Sequence, residues 1–499
     1  MGCCPRRWST SQETELRGRN HRTRKSTDTA GPGLNERSAT SKGGNVSTVP
    51  HRPKKISNTA RPNRRALLIA AVAASAVLAL TSCGPSGSNA EHGTIRIATL
   101  DGEPGNGVKA QLKALEAATG IKAELSVFPQ DQLRQKVSAD LLGSKEFDVV
   151  IEPFTWLHEL ATNEQILPLD DYIAGDNDID VDDFIPVLLD SYGNFDGKQY
   201  TLPYKPDAQL FYYRKDVFAD PAVQMAFQAK TGRALTVPTT NDELVETAQF
   251  FTQSLNPDSP TKYGWSFWGE QVGSFWTWAM RLGGLGGNYV DDDGHPTVDT
   301  KEGREAMAIA EQLRQAAPEE VGSFEWERSN QSFLSGEVAM IEQWPGLATL
   351  AEATDGTSQV AGKVGYTVPV GGSSILGGWA AAVSAGSDNP DAAFKAVAWM
   401  TGKEGELLKV DAGNAPTRNS VYASLPAEGK TAYFPVLAKA LAVAKINADV
   451  DFPPIGGQLQ TSLQTDMNAV WTNQLDGDEA LTKINEAWTK ALQEAGLYK

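Results

Sequence analysis

The chain has 499 residues, with 62 acidic against 45 basic side chains, a formal net charge of −17 and three cysteines. At this length a single hydrophobic core has stopped growing, so two domains are expected rather than one. An acidic surface repels nucleic acid and anionic lipid headgroups, so neither is expected as a ligand.

An apolar run near the N-terminus predicts export. Residues 66–80 form an apolar run that follows two arginines. The last residue of this run, Leu80, begins the sequence LTSC, which ends at Cys83. This is the order of a secretory signal, and the run is shorter than the about 20 residues that span a membrane. The ending resembles a bacterial lipobox. We therefore predict that residues 1–82 are removed and that lipidated Cys83 anchors the protein to the extracellular face of the cell membrane. An ordinary signal peptide with an incidental Cys83 is the alternative.

The segment before this run is a basic, polar arm that cannot bury a core. We expect a mis-assigned translation start, with Val46 or Val49 as the initiator, and an arm that binds nucleic acid is the alternative. Arg64 and Arg65 also resemble a twin-arginine signal, which leaves the export route open. Removal of residues 1–82 leaves 30 basic against 58 acidic side chains, a net charge near −28. Cys83 is then the last cysteine, which excludes disulfides and cysteine-based metal sites.

The mature chain opens with a predicted tether of small residues at 83–93. Hydrophobic periodicity then predicts a strand at 94–99 and a helix at 108–118 that Gly120 ends. A strand at 121–128, a helix at 130–142 and a continuous apolar strand at 147–151 follow. This β-α-β-α-β order predicts a doubly wound parallel sheet, whose ligands lie at the carboxyl ends of its strands.

Five segments carry a family resemblance. They are FDVVIEPFTWLHELATNEQILPLDDYI at 147–173, GKQYTLPYKPDAQLFYYRKDVF at 197–218, FLSGEVAMIEQWPG at 333–346, GGWAAAVSAGSDNPDAAFKAVAWMTGKEGE at 377–406 and GNAPTRNSVY at 413–422. Together they resemble the extracellular solute-binding proteins of ABC sugar importers, the family that includes maltose-binding protein. The resemblance covers essentially all of residues 94–495.

The resemblance implies an α/β fold of the type II periplasmic-binding-protein kind, with two lobes, each a mixed sheet flanked by helices, and a hinge between them. We expect the N-terminal lobe at 94–203 plus 370–402 and the C-terminal lobe at 204–369 plus 403–499. A sugar, oligosaccharide or sugar alcohol would be captured between the lobes, which close around it by a hinge motion. The protein would act as a monomer and deliver this ligand to the permease subunits of the transporter.

A sugar ring has an apolar face and a rim of hydroxyls, so its site needs aromatic side chains together with carboxylates, amides or arginine. Asp101 and Glu103 follow the first predicted strand, and Glu152 and Trp156 follow the third, where strand ends should face the groove. A solvated turn is the alternative for the two acids after the first strand, and Trp156 is as readily a packed ring as a ligand contact.

The resemblance adds further candidates. Asp207 stands where maltose-binding protein has a sugar-binding carboxylate, and Tyr204 lies near it in the same segment. Trp344 and Trp379 match family positions that stack on sugar. Arg418 matches a contact to sugar hydroxyls, although an exposed loop arginine is its alternative.

The remaining tryptophans divide into core and groove. Trp265, Trp268, Trp276 and Trp278 crowd into fourteen residues, and which of them face the groove is left open. Trp276 and Trp278 would lie about 200° apart on a helix, so at most one of these two can face the groove, and we take Trp276 as the candidate. Trp399, Trp471 and Trp488 continue apolar helical stripes and are predicted core residues. The late helix around 457–463 lacks an aromatic side chain that maltose-binding protein has, and Glu152 replaces a tryptophan. Maltodextrin is therefore not the expected ligand.

The chain holds no Gly-x-Ser-x-Gly, Walker A or His-x-x-x-His motif, so no enzymatic activity, cofactor or metal is expected. A secreted glycoside hydrolase is the main rival, because it also needs paired carboxylates and aromatic platforms. A binding protein for a polyamine or another non-sugar solute is the second rival, since acids combined with aromatics also suit a cation.

Overall fold

The computed structural model describes residues 93–497 except 177–178, 292 and 446–454. The predicted signal segment 1–82 and Cys83 lie outside the described residues, as does the predicted tether apart from Gly93. Within the described ranges, no helix combines the length and the apolar character that crossing a membrane requires.

The strands of the described residues are, in chain order, β1 (Ile95–Leu100), β2 (Ala123–Phe128), β3 (Val149–Pro153), β4 (Asn194–Phe195), β5 (Lys198–Gln199), β6 (Thr201–Ala208), β7 (Leu210–Arg214), β8 (Tyr263–Ser266), β9 (Val338–Gln343), β10 (Val364–Thr367), β11 (Ser374–Val383) and β12 (Ala444–Lys445).

The α-helices are α1 (Glu103–Thr119), α2 (Gln130–Ala139), α3 (Leu157–Thr162), α4 (Asp170–Gly175), α5 (Pro186–Gly193), α6 (Lys215–Ala219), α7 (Pro221–Thr231), α8 (Asn241–Phe250), α9 (Trp276–Gly284), α10 (Lys301–Gln315), α11 (Trp326–Leu334), α12 (Gly346–Ala351), α13 (Pro390–Met400), α14 (Lys403–Asp411), α15 (Asn419–Ser424), α16 (Phe434–Leu441), α17 (Gly456–Trp471) and α18 (Gly477–Glu494). A turn of π-helix, Asp140–Ser144, extends α2, and a short 3-10 helix, Phe154–Trp156, follows β3.

The first sheet has the order β12-β11-β3-β1-β2, and β6 also pairs with β11. Strand β1 runs parallel to β2 and β3, whereas β11 runs antiparallel to β3 and β6. The predicted β-α-β-α-β order is confirmed. Helix α1 begins at Glu103, earlier than the predicted residue 108, because Pro104 needs no hydrogen-bond partner for a backbone N–H in the first turn. Gly120 ends this helix as predicted, in the left-handed conformation with φ 74°.

The second sheet has the order β10-β7-β9-β8, in which β7 runs antiparallel to both of its neighbours and β8 runs parallel to β9. Helices α8, α9, α10, α17 and α18 surround one large core on this sheet. Trp471 and Trp488 are buried in that core, as predicted, together with Trp265 and Trp278. We call the parts built on the first and second sheets the first and second lobes.

The hinge between the sheets is short on its first passage. Strand β6 ends at Ala208 in the first sheet and β7 begins at Leu210 in the second, so Gln209 alone separates them. Its backbone N–H donates to the Ile375 carbonyl at 3.3 Å, and its own carbonyl accepts from the Ser374 hydroxyl at 2.8 Å. These bonds hold the passage against the start of β11, where segment 368–373 brings the chain back.

The predicted lobe boundaries stay a prediction, but the packing favours moving two of them. Strand pairing places the first passage at Gln209 instead of between residues 203 and 204. Helix α14, which begins the segment 403–499 predicted for the second lobe, packs against α1 and α13, which belong to the first lobe. Helix α16 contacts β6, β7 and β11 and so lies across both sheets.

Candidate functional site

One edge of the first sheet gathers most of the predicted acids and aromatics. In the register of β11, Trp379 lies opposite Pro153 of β3 and Lys205 of β6, and Gly377 lies opposite Asp207. Glu103 opens α1 two residues after Asp101, which directly follows the end of β1. The carboxyl ends of β1, β3 and β6 therefore meet at a common edge, as expected for ligand sites of such sheets.

The centre of this edge is a buried charged cluster that we call the charged triad, Glu103, Lys205 and Asp207. The Lys205 ammonium donates to both carboxylate oxygens of Asp207, at 2.5 and 2.6 Å, and lies 3.0 Å from Oε2 of Glu103. Side-chain exposure is 4% for Lys205 and 9% for Asp207 but 29% for Glu103. Glu103 is thus the member of the triad that solvent and a solute can reach most easily.

Burial and mutual attraction set the charge states of the triad. Burial by itself would lower the pKa of Lys205, but the carboxylates of Asp207 and Glu103 outweigh it and raise this pKa to about 12. Burial raises the pKa of Asp207 to about 6, against the opposing effect of Lys205 and with a smaller addition from Glu103. Lys205 is therefore cationic at neutral pH, and Asp207 is ionised there but gains a proton in mild acid.

Tyr192 connects the charged triad to the glycines of β11. Its hydroxyl donates to the Gly377 carbonyl and accepts from the Asp207 backbone N–H at 3.3 Å. Its ring stacks on Phe154 with centroids 4.7 Å apart, which fixes its orientation. Tyr192 therefore holds the backbone of Asp207 and of Gly377 together at the edge.

The second lobe presents a line of four tryptophans that we call the tryptophan row. Trp344 contacts Trp276 with ring centroids 5.0 Å apart, Trp276 contacts Trp268 at 5.1 Å, and Trp268 contacts Trp326 at 6.0 Å. The Nε1 of Trp276 is a buried donor for which the described residues supply no acceptor. Trp278, by contrast, donates to the Gly303 carbonyl inside the core. Of this pair, Trp276 alone joins the row.

The two walls touch at two glycines. A Cβ on Gly377 of the first sheet would lie 2.5 Å from the Trp344 ring, and a Cβ on Gly346 of the second lobe would lie 2.5 Å from Oε1 of Glu103. Both distances are below those that real Cβ atoms show. Glycine at these positions therefore lets the charged triad approach the end of the tryptophan row.

Three predicted residues lie beside this contact and not in it. Glu152 is fully buried in β3, and its carboxylate oxygens have no hydrogen-bond partner among the described residues. Burial raises its pKa well above the ordinary range, with Arg134 opposing and Glu159 adding to the shift. Trp156 is covered on one side by the Arg134 guanidinium, 4.9 Å from the ring centroid. Trp379 is 9% exposed, as Trp276 is, and packs in the core of the first lobe as Trp276 packs in that of the second, but its ring is not part of the tryptophan row.

Two other predicted residues are buried, and their polar atoms have partners outside the charged triad. Tyr204 is fully buried, donates to Oε1 of Gln111 on α1 at 2.9 Å and faces the Lys409 ammonium 4.7 Å away. Arg418 is 3% exposed, stacks on Phe184 at 3.9 Å and donates to the Thr401 carbonyl at 2.6 Å.

Neither of those side chains points its polar atoms at the charged triad. Arg418 also donates to the Asp180 carbonyl at 2.6 Å and lies 3.7 Å from an oxygen of Asp183, so its guanidinium is occupied there. Asp101 is exposed and lies 3.8 Å from Lys109, in the position of the solvated turn that was its alternative. We therefore take none of the three as a direct contact.

Sequence reasoning missed Lys205 and Trp326, and it left open whether Trp268 faces the groove. Lys205 stands between apolar neighbours in the segment LPYKPDAQLF, two residues before Asp207. Strand alternation puts such a pair on one face, and a lysine in an otherwise apolar strand needs a partner, so the signal was present. Trp326 is far from the crowded 265–278 segment in sequence and carried no such signal.

Comparison with known proteins agrees with the geometry. Residues 101–407 match the family model described as bacterial extracellular solute-binding protein. A probable amino-acid ABC transporter periplasmic-binding protein of Sinorhizobium fredii is 28% identical over 347 residues, 65% of this chain and 75% of the relative. A mannitol-binding protein of Pseudomonas aeruginosa is 25% identical over 441 residues, 81% of this chain and 94% of the relative.

Solved structures give the same fold. An ABC transporter solute-binding protein of Agrobacterium radiobacter in complex with ribitol has a TM-score of 0.68 and 26% identity, covering 80% of this chain and 98% of its own. Maltose-bound MalE3 of T. maritima has a TM-score of 0.68 and 24% identity, covering 80% and 100%. The predicted α/β two-lobe fold of type II is confirmed. The chain belongs to the family of bacterial extracellular solute-binding proteins that serve ABC importers.

Proposed function

We propose that the protein captures a neutral sugar or sugar alcohol between its lobes and delivers it to the permease subunits of an ABC importer. The observation that carries this proposal is the placement of the charged triad on one wall against the tryptophan row on the other. Carboxylates can accept hydrogen bonds from sugar hydroxyls, and tryptophan rings can cover the apolar face of a sugar.

Two relatives support this ligand class. One relative is named for binding mannitol, and the other was solved in complex with ribitol. Mannitol and ribitol are both open-chain polyols. The relative named for amino acids favours a different solute. An amino-acid site needs a cation for the ligand carboxylate, but the Lys205 ammonium in the groove is already bound by two carboxylates. A neutral polyol fits the site better.

A thermal-shift screen tests the ligand class. Monosaccharides, disaccharides, sugar alcohols, amino acids and polyamines are added separately, and a ligand at 100 times its Kd should stabilise the fold by roughly 2.7 kcal/mol. We expect shifts with sugars or sugar alcohols. Shifts confined to amino acids or polyamines would contradict the proposal. Release of reducing ends from oligosaccharides at enzymatic rates would favour the rival hydrolase.

We also propose that the protein acts as a monomer, without enzymatic activity or a bound cofactor, anchored through lipid on Cys83 at the extracellular face of the membrane. The family is extracellular, and the signal and lipobox pattern supports the anchor. A Cys83→Ser variant should appear in the soluble extracellular fraction. Retention on the membrane as firm as that of the wild type would contradict lipidation.

A further inference from the structure

We propose that Lys205 sets the charge class of the ligand. Its ammonium fills the place between Asp207 and Glu103 that a cationic solute would need, so the groove admits neutral hydroxylated solutes and rejects cations. This inference rests on the proposed function and deepens it, because it assigns the choice of solute charge to one residue.

The contacts of Lys205 pair its ammonium with two carboxylates at once. The ammonium donates to both oxygens of Asp207 and forms an ion pair with Oε2 of Glu103 at 3.0 Å. A ligand ammonium at the same place would have to displace Lys205, which is covalently attached and so competes as an intramolecular partner. A displaced Lys205 would also remain as a nearby positive charge that repels the incoming cation.

The same contacts disfavour an anion. The Lys205 ammonium is already paired with two carboxylates, so a ligand carboxylate or phosphate would have to compete with both of them for it. An anion would also approach the negative charges of Glu103 and Asp207. A hydroxyl meets neither difficulty, because it donates to a carboxylate oxygen without bringing a net charge. Glu103, the most exposed member of the triad, offers such an oxygen.

The opposite wall cannot make this distinction. Tryptophan faces attract cations as well as apolar sugar faces, because the ring quadrupole is negative above and below its plane. The tryptophan row alone would therefore accept a polyamine or an amino sugar. Rejection of cations must come from the first wall, where Lys205 is the buried ammonium between the two carboxylates. Occupying a binding position with a fixed like charge is a direct route to specificity.

Matched probes separate charge from shape. D-mannitol and ribitol are each compared with their 1-amino-1-deoxy analogues, which have the same carbon chain but are cationic at neutral pH. Binding is measured by isothermal titration calorimetry on the wild type, Lys205→Met and Lys205→Arg. Methionine keeps the length of the side chain without its charge, and arginine keeps the charge and serves as the matched control.

We expect the wild type to bind a polyol about tenfold or more tightly than its amine, the ratio equivalent to one charge-assisted hydrogen bond. Lys205→Met should reverse this preference, because the two carboxylates become available to the ligand ammonium, and Lys205→Arg should keep it. Equal binding of polyol and amine by the wild type overturns the inference. So does an unchanged preference in a folded Lys205→Met variant, with folding checked by thermal unfolding.

Two further outcomes keep this test separate from that of the proposed function. If the wild type binds neither polyol, the proposed polyol specificity fails, and binding of the amines alone decides the role of Lys205. Binding of an amine by Lys205→Met but not by the wild type supports that role. Binding of an amine by neither protein overturns it. If Lys205→Met does not fold, the double variant Lys205→Met with Asp207→Asn replaces it. Glu103 alone should then favour the amine, and failure to do so overturns the inference.

Discussion

The two walls of the groove use different chemistry. The first wall concentrates charge in Glu103, Lys205 and Asp207, while the second wall presents four tryptophan rings that end at Trp344. Charge at close quarters gives directional hydrogen bonds, whereas aromatic faces give contact area with little directionality. In the proposed site, the first wall would select the ligand by its polar groups, and the second would contribute affinity through contact.

The largest effect should come from breaking the charged triad. Asp207→Ala leaves the Lys205 ammonium buried with Glu103 alone, and loss of one partner of a buried ion pair costs about 3–5 kcal/mol. Unfolding in denaturant should show this loss, and calorimetry should show loss of ligand binding. Asp207→Asn is the shape-matched control and should retain more stability. A folding loss under about 1 kcal/mol in Asp207→Ala, a value typical of exposed pairs, would contradict the buried triad.

Asp207 also predicts that ligand affinity depends on pH. Because burial raises the pKa of Asp207 to about 6, its carboxylate gains a proton as the pH falls through that value. A protonated carboxyl has lost part of its acceptor capacity, so affinity for a neutral ligand should be constant above pH 7 and weaken as the pH falls below 6. Calorimetry across this range measures it. Asp207→Asn should bind weakly at every pH, and a steep dependence that persists in this variant would assign it to another group.

The tryptophan row should affect binding more than folding. Trp344→Ala should weaken binding by about 1–3 kcal/mol, by analogy with aromatic stacking on bases, while the unliganded fold stays nearly as stable. Trp488→Ala is the control, because Trp488 is fully buried and donates to the Leu459 carbonyl at 3.0 Å. It should cost about 3–5 kcal/mol of folding free energy. Trp379 packs in the core of the first lobe. We therefore expect Trp379→Ala to lose folding free energy as Trp488→Ala does, and not to behave as the stacking residue that the sequence predicted.

Glu152 tests whether every acid at this edge belongs to the site. Burial raises its pKa above the unfolded value, so the folded state holds the proton and the wild type loses stability as the pH rises from about 4.5 toward the folded pKa. Glu152→Gln should therefore equal the wild type near pH 4 and become relatively more stable above it, by at most about 1.4 kcal/mol per pH unit. Denaturant unfolding at several pH values measures the gap. A constant gap would mean that Glu152 is ionised and reachable by solvent.

The smallest effect should come from the far end of the tryptophan row. Trp326 is half-buried, contacts Trp268 at 6.0 Å and lies three rings along the row from the Trp344 end. Trp326→Ala should weaken binding of a small polyol by less than about 1 kcal/mol, since an aromatic pair contributes roughly 0.5–1.5 kcal/mol. A loss as large as that of Trp344→Ala would place the ligand farther along the row. Calorimetry with the same polyol compares the two variants.

The sequence predicted the fold well because the relevant signals are local. Hydrophobic periodicity at 94–151 located the first strands and helices within a few residues, and Gly120 ends α1 as its type suggests. The five family segments predicted a second lobe and a hinge, although pairing places the passage at Gln209. Helix packing favours assigning α14 to the first lobe, and no local signal in the sequence indicated this assignment.

The site was harder to predict because it depends on which side chains are brought together by distant elements. Asp207, Glu103 and Trp344 were selected from strand ends and family resemblance, and they lie where the walls touch. Trp276, selected from helical spacing, is buried in the second lobe and contacts Trp344. Glu152 and Arg418 were selected by the same kinds of reasoning and are buried elsewhere. Lys205 was passed over although its spacing to Asp207 was a local signal, and its second partner, Glu103, approaches from α1. Side-chain direction and burial, and not residue type, made the difference.

Small-angle X-ray scattering with and without the tightest ligand of the screen tests the central claim most directly, since the two walls belong to different lobes. Hinge closure around a solute brings the lobes together, so the radius of gyration of the wild type should decrease on saturation with that ligand. Asp207→Asn should show no decrease at the same ligand concentration. An unchanged radius in a wild type that calorimetry shows to be saturated would contradict capture between the two walls.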